Sequence, residues 1–449
     1  MNAIEKICKG VYLFLRKPSH LTTIFNKVKP VTNVEKKMIT EIVNNLIFLN
    51  YLSEKYIKKF KKFSKSLKSL IYTGIYEILF SHHLKPSEVI SAILSIMDKY
   101  NIKPHLKPVV CATLNRVKSE KSKILSQDLP VEVRYSIPQN VATVIFDYCQ
   151  NLKNDFKYIH SPTYKLGINI KNSILMKNLI MFFKKNSIAF KKGLLCPDYI
   201  YTKYPIDKFL SISFLSNGDF YFQDEAMSFI CYKISKYIEE NSVILDYCSA
   251  PGGKTITVNN YLSFQNTFFI CYDKNFKRLL KLKENLSFRP HINALIITDL
   301  KEKASEEISR KIFDKIIAEK IIPAKLRNKI LYIENWEEVI KNKIDYVILD
   351  VPCSGLGTLY KNPEIKYLFS NDGEITYTQS NLLEKAKDFV KMEGKIFYIT
   401  CTLNYRENEE RIKEFLHKNR SFSELEKLKI CPGKSSPSGG FLSILKKEK

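Results

Sequence analysis

The spacing of apolar positions changes twice along the chain. Ile4, Ile7, Val11, Leu13 and Leu15 open a helical pattern, which Met38, Ile42, Ile47 and Leu52 continue. Leu70, Ile75, Ile78 and Leu79 follow, and residues 89–97 and 109–117 complete the set. Pro18, Pro30, Pro86 and Pro104 punctuate the turns. Residues 1–130 are therefore expected to form a small all-α bundle. Residues 131–235 read as a linker and a small α+β segment of ferredoxin-like type. Its apolar runs are Leu166-Gly167-Ile168-Asn169-Ile170 and Ile212-Ser213-Phe214-Leu215. From residue 236 onward the pattern becomes strand, Gly or Asp, helix, repeated. Val243-Ile244-Leu245, Phe268-Phe269-Ile270-Cys271-Tyr272, Ala294-Leu295-Ile296-Ile297, Tyr346-Val347-Ile348-Leu349 and Ile396-Phe397-Tyr398-Ile399 are short buried-strand runs. Helical stretches between them predict a parallel sheet with crossover helices, an α/β Rossmann-like domain over 236–449. A last strand is expected at Phe441-Leu442-Ser443-Ile444-Leu445.

Composition narrows the class without deciding it. At 449 residues the chain is too long for one ordinary domain, and 45% hydrophobic with 26% charged residues excludes a disordered or collagen-like chain. Neither a membrane span nor a signal-peptide core is legible, so a cytoplasmic protein that does not engage membranes is expected. Lys and Arg number 72 against 46 Asp and Glu, a net +26. Such a field attracts nucleic acid, yet Lys, Ile and Asn are all abundant, so a general Lys bias explains part of it. In the richest stretch, Lys55, Lys58, Lys59, Lys61, Lys62, Lys65 and Lys68 alternate with Tyr56, Phe60, Phe63 and Leu67, which reads as a solvated helix face over a core stripe. The ten cysteines include no Cys-x-x-Cys pair, so no metal site is expected.

In an open α/β sheet, ligands bind beyond the carboxyl ends of the strands, so residues just after the apolar runs matter most. The first run leads into Asp246-Tyr247-Cys248-Ser249-Ala250-Pro251-Gly252-Gly253-Lys254-Thr255. A Walker phosphate loop would need Gly at position 248, and no G-x-G-x-x-G is present. What remains is a Gly-Gly turn that lets a ligand touch backbone at a helix N-terminus. Asp273 ends the second run, where a carboxylate is placed to bond ribose hydroxyls, and Arg278 follows on the next helix. The fourth run ends in Asp350-Val351-Pro352-Cys353-Ser354-Gly355 and the fifth in Thr400-Cys401-Thr402. Two thiols and a carboxylate thus project toward one crevice.

These motifs, with Glu407-Asn408-Glu409, resemble the Nol/Nop/Sun family of RNA cytosine-5 methyltransferases. Gln223-Asp224-Glu225-Ala226 and Asn362-Pro363-Glu364-Ile365-Lys366-Tyr367 are similar to further motifs of that family. The resemblance covers Tyr164 to the C-terminus. Residues 1–130, with Gly74-Ile75-Tyr76-Glu77-Ile78-Leu79, resemble a NusB-like RNA-binding domain. The pairing is similar to family members that modify one cytosine of 16S ribosomal RNA.

The resemblance implies a class I methyltransferase fold and S-adenosyl-L-methionine as cofactor, with an RNA substrate, no metal and a monomeric chain. It implies that Cys401 is the nucleophile, that Cys353 assists release, and that Asp350 and Lys254 contact the target base. Cofactor contacts would come from Cys248, Ser249, Ala250, Pro251, Gly252, Gly253, Lys254, Asp273, Arg278, Asp299 and Asp350. DNA cytosine-5 methyltransferases use the Cys of a Pro-Cys motif instead; the second thiol, Cys401, favours the RNA family.

Two departures from the family stand out. Asp299 follows Ile296-Ile297-Thr298 but lies fifty-one residues before Asp350, where the family has about twenty. Either an insertion follows Asp299, or Lys329-Ile330-Leu331-Tyr332-Ile333-Glu334-Asn335 is the true third strand and Glu334 or Asn335 takes the role; Asp299 is favoured. The family's Asp-Gly-Phe-Phe near the C-terminus is Gly439-Gly440-Phe441-Leu442 here. Rival readings are the same chemistry on tRNA or another rRNA cytosine, and a non-catalytic ribosome-assembly factor.

Overall fold

The computed structural model of the chain describes residues 2–81, 83–162, 166–216, 218–264, 266–371, 373–434 and 436–448; Tyr164 lies outside them. The chain divides into two compact units, Met1–Ser161 with Leu359–Ser370, and Pro162–Thr358 with Asn371–Lys449. No described helix is long and apolar enough to cross a membrane.

The first unit is helical. Its helices Ala3–Arg16, Leu21–Val28, Asn33–Asn44, Leu46–Tyr56, Lys65–Phe80, Pro86–Lys99 and Lys107–Ser119 follow the apolar periodicity. Ile7, Val11, Ile42, Leu52, Ile75, Val89 and Val110 all lie in one core. Helix starts carry the expected caps: Asn2 accepts from the Glu5 N–H, and Thr32 and Glu35 form a reciprocal capping box. The lysine-rich stretch is not one helix. Its backbone breaks at Lys59 (φ 60°) into a 3₁₀ turn, Phe60–Lys62, before Ser64 caps the next helix. Burial still separates as the spacing predicts, with Phe60 and Leu67 inside and the lysines largely outside.

This unit reaches past the boundary expected at residue 130. Helices Val131–Arg134, Gln139–Tyr148 and Leu152–His160 belong to it, with Val141, Ile145, Leu152 and Phe156 buried one helical turn apart. The unit also takes in Leu359–Ser370 from far along the chain. Lys366 there is buried, and its ammonium donates to the Asn44 carbonyl (2.8 Å), Asn44 Oδ1 (3.0 Å) and the Tyr135 carbonyl (3.3 Å). Glu364 accepts from the Leu21 N–H at 3.3 Å, and the Tyr367 ring packs edge-on against Phe14.

The second unit holds two sheets. The smaller contains β1 (Leu166–Ile170), β2 (Phe190–Lys192), β3 (Tyr199–Thr202) and β4 (Phe220–Phe222), antiparallel in the order β2-β3-β1-β4. Helix Ser173–Lys185 packs on it through Met176, Leu179 and Phe183. Of the two apolar runs expected here, 166–170 is β1, whereas 212–215 is a turn following helix Ile206–Leu210. Three or four apolar residues are too few to distinguish a strand from a packed turn.

The larger sheet contains β5 (Val243–Asp246), β6 (Phe268–Tyr272), β7 (Ala294–Thr298), β8 (Glu306–Glu307), β9 (Ile330–Tyr332), β10 (Ile344–Asp350), β11 (Val390–Thr400), β12 (Phe422–Ile430) and β13 (Gly440–Lys447). Their order is β12-β13-β11-β10-β5-β6-β7-β9-β8. Pairings from β11 through β8 are parallel, and β13 alone runs against them, pairing antiparallel with both β11 and β12. The central strands are uninterrupted apolar runs because both faces are covered. Leu245, Ile270, Ile297 and Leu349 face one core, while Ile244, Phe269, Ile296 and Ile348 face the other. The order reverses direction between β5 and β10, which defines the crevice where such sheets bind ligands.

Candidate active site

Strand register places the sequence motifs along one edge. Asp246 pairs with Cys271 and Ile348, so Asp350 stands two residues further out on β10. Asp350 is level with Ile399, which brings Cys401 just beyond it on β11. Asp273 and Asp299 follow the ends of β6 and β7.

The loop after β5 is held from several sides. Ser249 donates its N–H (2.9 Å) and hydroxyl (3.1 Å) to the Tyr272 carbonyl. Asp273 accepts from the Ala250 N–H at 3.2 Å and the Asn275 N–H at 2.8 Å. Arg278 lies 3.3 Å from Asp273 and also donates to the Ala250 carbonyl, so it ties the two loops together. Pro251 follows a cis peptide bond, and Gly252 has φ 104°, a left-handed conformation that glycine adopts without strain. Helix Gly253–Tyr261 starts there with no side-chain cap, which leaves backbone N–H groups available to a ligand. Cys248 is half-buried, and burial pushes its thiol up.

Asp246 is fully buried, accepting from the Thr255 hydroxyl at 2.7 Å through one oxygen while the other has no partner. Burial raises it to about 7 despite that hydrogen bond. Lys254 forms an ion pair with Asp350 at 2.6 Å. Burial opposes its charge, but the adjacent Asp350 carboxylate outweighs burial and the net shift is upward.

Cys353 and Cys401 lie 3.4 Å apart, sulfur to sulfur, both half-buried and both free thiols. The hydrogen bond from Cys353 holds Cys401 below the usual thiol range; burial and Asp350 oppose this, and Lys254 assists it. Cys353 is raised well above that range for the converse reason. Both shifts run in the direction that favours thiolate on Cys401 over Cys353.

Asp299 follows β7, whereas Glu334 and Asn335 follow β9. β7 neighbours β6, and β9 lies one strand further out. The intervening segment contains β8, β9 and two helices, Arg310–Glu319 and Trp336–Ile340. This insertion accounts for the long spacing to Asp350. The Asp299 carboxylate accepts from the Trp336 indole N–H at 2.8 Å and from the Tyr272 hydroxyl. Glu334 and Asn335 are exposed, beyond β9. The altered C-terminal motif also has a steric reason. A Cβ on Gly439 would lie 2.8 Å from the Ile430 carbonyl oxygen, Leu403 Cδ2 and Pro432 Cδ. Gly439 donates to the Gly357 carbonyl, and Gly357 donates to that of Cys401, so this close approach supports the thiol loop.

Sequence reasoning missed several residues. Trp336 is the chain's one tryptophan, and its place seventeen residues past helix Arg310–Glu319 gave no cue to Asp299. Gln379, from helix Glu374–Phe389, reaches the Pro352 carbonyl (2.9 Å) and Glu407 (3.1 Å). Among the described residues no group of three or more His, Cys, Asp or Glu could hold a metal ion.

Residues 236–323 and 326–439 match the family described as 16S rRNA methyltransferase RsmB/F. The match covers a little under half of the chain. The matched residues span the large sheet except its last strand, β13, and they include every loop that forms the crevice. A "Probable ribosomal RNA small subunit methyltransferase B" of Coxiella burnetii is 26% identical over 370 residues, 77% of this chain and 74% of that protein. The "Ribosomal RNA small subunit methyltransferase B" of Proteus mirabilis is 22% identical over 439 residues, 94% of this chain and 92% of that one. The crystal structure of PH0851 superposes with a TM-score of 0.67 at 19% identity, covering 100% of this chain and 98% of that one. That likeness shows the fold alone.

Proposed function

We propose that this chain transfers a methyl group from S-adenosyl-L-methionine to carbon 5 of one cytosine in 16S rRNA, through a covalent Cys401 adduct at carbon 6. The observation that carries the reading is the thiol pair. Two cysteines from neighbouring strand ends bring their sulfurs to 3.4 Å, beside a Lys254–Asp350 ion pair. A single-thiol enzyme has no use for the second sulfur at 3.4 Å.

The crevice fits the cofactor by its donor set. An uncapped helix start at Gly253 suits a carboxylate, and Asp273 and Asp299 suit hydroxyl and amine donors. Ser249, Ala250, Pro251 and Gly252 form the turn that lets a ligand reach backbone, with Cys248 and Arg278 beside it. When bound, the cofactor supplies an electrophilic methyl group on a sulfonium.

The chain's own residues do the rest. Cytosine carbon 5 is a poor nucleophile until a thiolate adds at carbon 6, and Cys401 is the sulfur poised for that addition. Asp350 and Lys254 stabilise the charge that gathers on ring nitrogen 3 and the exocyclic amine. Once carbon 5 carries the methyl group, a base removes its remaining proton and Cys401 departs as thiolate. Cys353 assists that release. The base must first leave its stack, because carbon 6 is shielded in a helix. The net charge of +26 then attracts the RNA backbone, and a NusB-like role for the helical unit is consistent with its lysine-rich surface. The chain is read as a cytoplasmic monomer.

Bisulfite sequencing of rRNA and tRNA from cells with and without the gene tests the reading. One 16S cytosine is expected to lose its protection when the gene is absent. A lost tRNA or 23S signal would redirect the substrate. No change at any cytosine would favour a non-catalytic assembly factor.

A further inference from the structure

Glu407 is 2% exposed and lies six residues past Cys401. Its carboxylate gathers four donors. Ser354 gives its N–H at 2.8 Å and its hydroxyl at 2.5 Å, Gln379 its amide at 3.1 Å, and Asn404 its amide at 2.9 Å. The Gln379 amide also holds the Pro352 carbonyl, so the residues on both sides of Cys353 are tied to one carboxylate. The link to the Cys401 loop is less direct. Ser354 Oγ sits 2.6 Å from Thr402 Oγ1, and the Tyr398 hydroxyl donates to the Glu407 carbonyl at 2.7 Å. A buried carboxylate with this many donors is costly to disturb, because each donor would be left unpaired.

We propose that Glu407 is the positioning residue that fixes Cys353 against Cys401, and that it serves the release step rather than adduct formation. This rests on the two-thiol reading above. Three of the four bonds act on the Cys353 loop, directly or through Gln379, so loss of the carboxylate displaces Cys353 first. Cys401 keeps its place just past β11 through the pairing of that strand, the Thr400–Asn408 hydrogen bond at 2.6 Å and the Gly357 N–H on its carbonyl at 2.9 Å. Cys401 can still add to the base, while removal of the carbon 5 proton falters.

The test uses the full chain, a 16S rRNA transcript and S-adenosyl-L-methionine, with Glu407→Gln, Glu407→Asp and Ser354→Ala beside the wild type and Cys353→Ala. Glu407→Gln keeps the shape but turns an acceptor into a donor that faces Gln379 and Asn404. Turnover is expected to fall about a hundredfold, the effect of an ångström of misplacement in a reacting group. Covalent protein–RNA complex should accumulate as it does in Cys353→Ala, and Glu407→Asp should restore part of the turnover. Should Glu407→Gln fail to fold by melting curve and cofactor binding, Ser354→Ala carries the test, with the same split at about tenfold. Turnover within twofold of wild type, or loss of turnover and adduct together, would overturn the proposal. If the wild type itself methylates no cytosine in any rRNA, the functional reading fails instead, whatever Glu407 does.

Discussion

Each unit of the molecule buries a lysine, and the two are treated in opposite ways. Lys254, in the sheet unit, meets the Asp350 carboxylate at 2.6 Å and is held charged. Lys366, in the helical unit, meets only carbonyl oxygens from Asn44 and Tyr135. Burial lowers it to about 7, and the charge of Glu41 opposes that only in part. Burying a charge is expensive unless it is paired, and the partner decides what the charge is for. A cation kept ionised at a crevice can stabilise negative charge on a substrate. A lysine in a carbonyl cage locks Leu359–Ser370 into the helical unit and needs no charge to do so. Asp246 is a third case, a buried carboxylate with one hydroxyl donor and no cation.

The largest effect expected from breaking this contrast is at Lys254. Lys254→Met removes the cation that stabilises charge on the target ring, so single-turnover methyl transfer should fall at least about a hundredfold. The melting temperature should move little by comparison. Equal transfer rates in the two proteins would remove Lys254 from the chemistry.

Lys366→Met should do the reverse. It strips three carbonyl oxygens of a donor, costing about 1–3 kcal/mol of stability, with transfer by the folded protein near normal. The sign of its pH dependence is specific. A lysine depressed to about 7 when folded binds fewer protons than the unfolded chain above that pH, so wild-type stability gains from about pH 7 upward. The deficit of Lys366→Met should therefore widen between pH 7 and pH 10 in paired thermal melts; a constant deficit would mean that the ammonium stays charged in its cage.

Asp246→Asn should show the opposite trend at a smaller scale. With the folded carboxyl raised to about 7, wild-type stability is full in acid and is lost as pH rises through about 7. The asparagine variant should thus gain on the wild type between pH 5 and pH 8 in denaturant titrations. Parallel curves would place a proton donor at the free oxygen.

The smallest effect is expected at Trp336. Trp336→Phe removes one hydrogen bond to Asp299, worth about 0.5–1.5 kcal/mol, and leaves Asp299 the Tyr272 hydroxyl. A KM change for the cofactor with kcat preserved would support Asp299 as a cofactor contact. A change in kcat alone would argue for another role.

The contrast also explains what was legible in sequence. The strands β5, β6, β7, β10 and β11 announce themselves because both faces are buried, which makes each an unbroken apolar run. Their carboxyl ends then point to Asp246, Asp273, Asp350 and Cys401 with no further information. β12 alternates along a partly exposed face and carries charges throughout, so its pattern does not separate from a surface segment. The capture of Leu359–Ser370 by the helical unit is invisible locally, because its partners Asn44 and Tyr135 lie more than two hundred residues away. Likewise Gln379 and Trp336 sit on helices whose own periodicity says nothing of the loops they reach. Local patterning encodes strands and their ends; the residues that hold the ends in place come from distant segments.

The central claim is that Cys401, rather than Cys353, bonds the base. A 16S rRNA transcript containing 5-fluorocytidine tests it most directly, because fluorine at carbon 5 cannot leave as a proton does and the adduct persists. Wild-type protein trapped with this RNA and S-adenosyl-L-methionine, then digested and analysed by mass spectrometry, should carry the nucleotide on the peptide containing Cys401. A nucleotide on the Cys353 peptide, or no adduct at all, would contradict the account.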